Sequence, residues 1–353
     1  MEPGFTDREI QSVCRSIGDA ADQVGLAKAA EKIRAVVLCM IEEAPAEVLT
    51  RLISSLNDAL TRRVIELACA GTQLDHMRWC WISFGSEGRQ EQTLSSDQDN
   101  GIVFASTPGE AGALREKLLP LALRINETLD ACGFPLCAGQ VMASNPQWCL
   151  SQHEWEVRFA NWIMDGDPLA LLNASIFFDL RPLYGTYELA EALREFLVLH
   201  APDNPGFLLQ MSANALRRAP PLGLLRNFVI EKNGEFIGTI DLKLNAATLF
   251  IDAARIYGLA CGARAGNSAQ RLRLAADAHR LATREVEGWV QAFHFIQTMR
   301  LEQQRRSYMS GESMHNHVEP DRLDPTARRG LLDALRQARS LQRKLATDYP
   351  GSG

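Results

Sequence analysis

A chain of 353 residues with 46% hydrophobic and 23% charged side chains, 37 Lys+Arg against 43 Asp+Glu and a formal net charge of −6 has the composition of an ordinary folded protein. That balance excludes disorder as the dominant state and supplies no field for holding a nucleic-acid backbone without sequence preference. Membrane insertion is excluded too, because apolar runs such as Ala35 to Ile41 fall far short of the roughly 20 residues a spanning helix needs.

The start Met1-Glu2-Pro3 does not read as a signal peptide, so a cytoplasmic setting is expected, with the eight cysteines as reduced, buried thiols. No pair has the C-x-x-C spacing of zinc or redox sites; Cys132 and Cys137 frame a Gly-Phe-Pro turn without implying a disulfide. His315-x-His317 lies in a polar stretch and reads as a solvated loop.

From Asp7 to about Gly71 apolar residues recur at three- and four-residue spacing, which predicts helices broken at Pro45. Met77 to Phe84 changes to an aromatic, β-favouring run and predicts the first strand; Gly101 to Ala105 predicts a second. A short polar helix is expected between them, over Glu87 to Leu94. Pro108 to Ala131 reads as an amphipathic helix kinked at Pro120 and closed by Gly133-Phe134-Pro135. Gly139 to Ala143 and Ala174 to Leu180 read as further strands, separated by a helix carrying Trp148, Trp155 and Trp162.

Helices follow over Tyr187 to His200 and Pro205 to Arg218. Asn233-Gly234, flanked by Phe228 to Ile230 and Phe236 to Thr239, predicts a β-hairpin. Four more helices, Leu242 to Cys261, Ser268 to Arg280, Thr283 to Arg306 and Pro325 to Thr347, predict a bundle. Together these give an α+β chain in three parts: N-terminal helices over 1–72, a unit with a small mixed sheet over 73–185, and a helical bundle with a hairpin over 186–348.

The segment that carries chemistry runs from Phe84 to Asn100. It sets Gly85-Ser86 at the end of one strand and Asp97-x-Asp99 at the start of the next. Alternation puts Asp97 and Asp99 on one face, where their oxygens can share divalent cations, Mg2+ or Mn2+. A metal pair can clamp the attacking and leaving oxygens of phosphoryl transfer. Gly85 allows close backbone approach to a triphosphate, Ser86 offers a hydroxyl, and the start of the following helix favours anions. Arg89 in its first turn either pairs with phosphate or lies solvated on the surface.

The conjunction of strand, Gly-Ser, Asp-x-Asp and strand resembles the signature of the nucleotidyltransferase superfamily that includes DNA polymerase beta. The run GSEGRQEQTLSSDQDN resembles more closely a bacterial nucleotidyltransferase family related to the uridylyltransferase of the nitrogen-regulatory PII protein. In that family a helical substrate-binding domain follows the catalytic one. Leu222 to Phe228, Gly238 to Leu244 and Ile251 to Tyr257 are similar to its C-terminal pattern, and Gly139 to Trp148 to its central one. Gln98 stands where the superfamily usually has a hydrophobic residue, as in the nearer family.

The resemblance implies a polymerase-beta-like fold and transfer of a nucleoside monophosphate from a nucleoside triphosphate to a protein or small-molecule hydroxyl. Asp97 and Asp99 would be catalytic and hold metal, with Gly85, Ser86 and Arg89 binding the nucleotide. The third carboxylate expected from a later strand has Asp179 as its candidate, in FFDLR before Leu183-Tyr184-Gly185; the other reading is a structural Asp paired with Arg181. The resemblance places Arg226, Asp241 and Lys243 on the acceptor side, with an exposed salt-bridge cluster as the other reading. A regulatory enzyme like the PII uridylyltransferase is one expectation, and a nucleotide-sensing signalling protein whose chemistry has lapsed is the rival.

Overall fold

The structure, a computed structural model, describes residues 4–72, 74, 76–165, 168–223 and 228–350. It forms two compact units. The first comprises residues up to Ala44, Val48–Phe159 and Ile176–Phe196; the second comprises Pro45–Glu47, Ala160–Ser175 and the chain from Leu197 onward.

The chain begins with three helices, α1 (Gly4–Gly18), α2 (Gln23–Met40) and α3 (Ala46–Cys69). Their spaced apolar residues are buried, among them Ile33, Val37, Leu49, Ile53, Leu56 and Leu60. Asp22 caps α2 by accepting a 2.8 Å bond from the Gly25 N–H, satisfying a donor that the helix itself leaves open.

There follow β1 (Trp79–Ser83), a single turn α4 (Gly85–Gly88), β2 (Asn100–Phe104), α5 (Ala111–Ala131), β3 (Cys149–Ser151), α6 (Gln152–Asp165), α7 (Pro168–Phe177), β4 (Arg181–Gly185) and α8 (Tyr187–His200). The strands form a mixed sheet in the order β3-β2-β1-β4, with β1 antiparallel to β2 and β4, and β2 parallel to β3. All residues of β1 and β2 are buried, so the sheet is covered on both faces. β4 is an edge strand, where Pro182 costs no ladder bond.

Against one part of the sheet packs an aromatic cluster. Phe84, Trp148, Trp155 and Phe177 have ring centroids 4.2–6.2 Å apart in the contacts they make. The Trp155 indole N–H donates to the Ile102 carbonyl at 3.0 Å, which satisfies the ring's polar atom while its body stays dry.

Four local expectations are corrected. The polar helix expected over Glu87 to Leu94 is only the turn Gly85–Gly88. Gln90 then adopts φ 56°, and the residues after it bond to α3 instead. Gly139 to Ala143 is not a strand: Gln140, at φ 57°, closes a turn by donating to the Cys137 carbonyl, and β3 takes the place beside β2. Ala174 to Phe177 ends helix α7. Its neighbours are nearly all apolar, so period could not separate buried helix from buried strand. The cysteines are free but only partly buried: Cys14 and Cys39 are exposed.

The second unit holds α9 (Pro205–Leu216), β5 (Ile240–Asp241), a π-helical turn (Lys243–Ala247), α10 (Thr248–Ala260), α11 (Ser268–Ala278), α12 (Thr283–Met309), β6 (His317–Val318) and α13 (Pro325–Asp348). α10 is buried on nearly every side and packs against α9, α11 and α13, which is why its sequence is mostly apolar and its buried Arg255 is paired with Asp252. Asp324 caps α13, accepting from the Thr326 and Ala327 N–H groups, with Pro325 at its first position.

Around Asn233-Gly234 the chain does turn back, and Glu231 and Thr239 are joined by a 2.9 Å bond, but no ladder forms there. The strand pair of this unit is β5 with β6. His317 is therefore no solvated loop residue. Its ring stacks on Phe236 at 3.9 Å and its Nδ1 lies 3.1 Å from the Thr239 hydroxyl. Among the described residues no helix is long and apolar enough to cross a membrane.

Candidate functional site

The site forms where the β1–β2 ladder runs out. Its last pairing is Phe84 with Asp99, through a 2.8 Å bond from the Phe84 N–H to the Asp99 carbonyl. The next residue on one side is Gly85, at φ 53°, a conformation that costs most L-residues about 1–2 kcal/mol. A Cβ there would also lie 2.6 Å from Asp99 Oδ2, so glycine is required twice over. Gly88, three residues on, is equally constrained: a Cβ would sit 1.7 Å from the Asp179 carbonyl oxygen.

On the other side, the extended residues 97–100 alternate as a strand does. Asp97 and Asp99 are half-buried, while Gln98 and Asn100 are 3% and 1% exposed and point inward. The inward pair joins a buried amide network on α5. Asn126 Nδ2 donates to Gln98 Oε1 at 2.7 Å and to Asn100 Oδ1 at 3.0 Å, and Gln98 Nε2 donates to the carbonyls of Asn126 and Phe134. Asn100 Oδ1 and Asn126 Oδ1 accept from the N–H groups of Ala143 and Ser144. Gln98 in place of a hydrophobic residue thus has a physical reason: it fixes the loop so that its two neighbours project together.

Asp97, Asp99 and Cys137 bring donor atoms to within 4.8 Å of one another. Two carboxylates at that separation repel, and a divalent cation relieves the repulsion while accepting their oxygens as ligands. The donor set fits such an ion. Ser86, half-buried, is the second residue of the turn that begins at Gly85.

Arg89 and Asp179 are brought together elsewhere. Arg89 is 7% exposed; its Nε donates to Glu91 at 2.8 Å and one of its terminal nitrogens to Asp179 at 2.6 Å. Asp179 is 1% exposed and is not in the donor group of Asp97 and Asp99. Arg181, the other partner considered for Asp179, instead pairs with Asp58 of α3 at 2.7 Å and donates to the Glu87 carbonyl. Arg181 thereby ties the Gly85–Gly88 turn to α3.

Glu87 is a member of the site that the sequence reading passed over. It is buried beneath the turn, and its Oε1 accepts a 2.6 Å bond from the Ser83 hydroxyl. Burial pushes its carboxyl up to about 7; the Ser83 bond opposes this, and the charges of Asp58 and Asp99 add to the rise. The signal was its position, between two obligatory glycines. Cys137 was also passed over as a buried thiol, since 38 positions separate it from Asp99, the nearest of the expected functional residues, and no spacing rule joins them.

In the second unit, Asp241 lies in β5 and caps the π-helical turn, its Oδ1 accepting from the N–H groups of Lys243 and Leu244. Lys243 is exposed at the first position of that turn. Arg226 lies outside the described residues.

Two family models match the chain. One, described as "Putative nucleotidyltransferase DUF294", matches residues 30–169 and spans the Gly85, Asp97, Asp99 and Cys137 site. The other, described as "Putative nucleotidyltransferase substrate binding domain", matches residues 205–349. No curated protein matches the chain.

Proposed function

Because the chain belongs to the DUF294 family of nucleotidyltransferases, with its substrate-binding domain, we propose that it moves a nucleoside monophosphate from a nucleoside triphosphate to a hydroxyl of a protein or small-molecule acceptor and releases pyrophosphate. The observation that carries this reading is the convergence of Asp97 and Asp99 against Gly85 at the end of the β1–β2 ladder.

Asp97 and Asp99 hold a divalent cation, Mg2+ or Mn2+. When bound, that ion neutralises the triphosphate and the negative charge that builds on the leaving pyrophosphate. Gly85 keeps the backbone bare of a side chain, and Ser86 presents its hydroxyl to a phosphate oxygen. The amide network beneath Gln98 holds both carboxylates in place before substrate arrives, which lowers the ordering cost of binding. The Arg89–Asp179 pair supports the turn. Residues 73–185 form the catalytic domain in this reading, the helices of 1–72 buttress it, and 186–348 bind the acceptor through Asp241, Lys243 and Arg226. A cytoplasmic, regulatory role like that of the PII uridylyltransferase suits a protein acceptor.

The test is label transfer from an α-labelled nucleoside triphosphate to acceptors in a cell extract, with divalent metal. Wild type transfers label and Asp97→Asn does not; equal transfer by both overturns the reading. One observation favours a second reading, a nucleotide sensor without turnover: the donor group contains two carboxylates and a thiol, not three carboxylates. Metal-dependent nucleotide binding without transfer distinguishes it.

A further inference from the structure

We propose that Cys137 is a third ligand of the cation held by Asp97 and Asp99, and that the site therefore takes borderline, thiolate-accepting ions such as Co2+ and Zn2+ in preference to Mg2+. This rests on the reading of Asp97 and Asp99 as metal ligands.

The position of Cys137 is built, not incidental. Its loop is fastened to the aspartate segment on both sides of the cysteine: the Gln98 N–H donates to the Pro135 carbonyl at 3.0 Å and the Asn100 N–H to the Val141 carbonyl at 3.1 Å. Gln98 adds a side-chain bond to the Phe134 carbonyl at 2.9 Å. These bonds set the loop alongside residues 98–100, with Cys137 between the two points of attachment. The turn that follows is closed by the 2.9 Å bond from the Gln140 N–H to the Cys137 carbonyl, and the backbone N–H groups of Gly139 and Val141 face the sulfur. Cys137 is 7% exposed, so its sulfur is turned inward toward the carboxylates.

Ligands of one such ion lie about 2.0–2.3 Å from it. Donor atoms within 4.8 Å of one another are brought to one ion by small side-chain rotations. The softness of the donors then decides which ion binds. Carboxylates suit hard and borderline ions alike, whereas a thiolate favours the softer ones and contributes little to Mg2+, which prefers oxygen and retains its water. On coordination the thiol proton leaves to solvent as the metal–sulfur bond forms, with no change of oxidation state.

The experiment is an anaerobic Co2+ titration of the full chain, read by absorption, alongside calorimetry with Co2+, Zn2+, Mn2+ and Mg2+. The expected result is a near-ultraviolet thiolate-to-cobalt band in wild type that saturates with binding and is missing from Cys137→Ser. That variant loses affinity for Co2+ and Zn2+ by at least the roughly tenfold cost of removing an outer-shell partner, and keeps its Mg2+ affinity. Cys137→Asp, which supplies a third carboxylate, restores binding without the band and moves preference toward Mg2+.

Co2+ binding that depends on Asp97 and Asp99 but gives wild type no thiolate band overturns the role of Cys137 and leaves the carboxylate site standing. A band that persists in Cys137→Ser belongs to another cysteine and overturns it as well. Metal binding unaffected by Asp97→Asn and Asp99→Asn overturns the carboxylate site itself and the proposal with it.

Discussion

Gly85 and Asp99 are locked together: the backbone of one approaches the carboxylate of the other so closely that a Cβ at position 85 would lie 2.6 Å from Asp99 Oδ2. Gly85→Ala must therefore either displace the carboxylate or abandon its φ of 53°. We expect a loss of about 1–3 kcal/mol in urea unfolding, the usual cost of such strain, together with a larger loss of metal-dependent nucleotide affinity. A variant with wild-type nucleotide affinity would separate Gly85 from the site.

Asn126 is the hub of the amides beneath the aspartates. In Asn126→Leu, Gln98 Oε1 and Asn100 Oδ1 each lose a donor while staying buried and the Ser144 N–H loses its acceptor; a lost bond costs about 0.5–1.5 kcal/mol and a group left unsatisfied about 1–3 kcal/mol. Chemical denaturation is expected to show a combined loss of roughly 2–4 kcal/mol. Because the same network aims Asp97 and Asp99, metal affinity falls too, although Asn126 is not in the donor group. Unchanged stability would remove the network's assigned role.

The carboxyl of Glu87 gives a stability–pH signature of definite sign. Its ordinary value is 4.5 and burial raises it to about 7 in the folded chain. Between those values the native state holds a proton that the unfolded state has released, so this group's contribution declines as pH rises from 4.5 through about 7 and is level above. Glu87→Gln keeps an acceptor for Ser83 and has no charge to bury. It is expected to match wild type at the acid end of that window and to exceed it by roughly 1–3 kcal/mol above the window. Denaturation midpoints across the window check this; parallel curves for the two proteins would contradict it.

Arg89 joins two carboxylates that are 2% and 1% exposed, Glu91 and Asp179. Removing the cation while leaving both acids buried costs about 3–5 kcal/mol, so Arg89→Met should be among the most destabilising single changes in the first unit. Asp179→Asn should cost stability and leave Mn2+ affinity near wild type, since Asp179 stands apart from the Asp97 and Asp99 donors. A selective loss of metal affinity in Asp179→Asn would return Asp179 to the third-carboxylate role.

The sequence makes long-period elements and the aspartate pair legible for the same reason: both are local. Helices such as α3 and α12 announce themselves by spacing, and Asp97 and Asp99 by a two-residue alternation next to a strand. The nearly continuous apolar run of α7 carries no period and reads equally well as a strand. Gly139 to Ala143 has strand composition, but Gln140 adopts a left-handed conformation that propensity does not foresee. Asn233-Gly234 does turn the chain, yet the nearby backbone groups at Ile240 and Asp241 find their partners at His317 and Val318, far along the sequence. Glu87 and Cys137 escape because their roles depend on burial and on what the fold brings beside them, not on spacing.

The central claim is that Asp97 and Asp99 make a cation-dependent nucleotide site. Its most direct test is the thermal shift of the full chain with ATP, UTP, GTP and CTP, each with and without Mn2+ or Mg2+, on wild type and on the Asp97→Asn, Asp99→Asn double variant. A ligand at about 100 times its Kd adds roughly 2.7 kcal/mol to stability, enough for a clear rise in Tm. The account predicts that rise in wild type, with at least one of the nucleotides and only with metal, and none in the double variant. An equal rise in both proteins, or none with any nucleotide and metal at millimolar concentration, would contradict it.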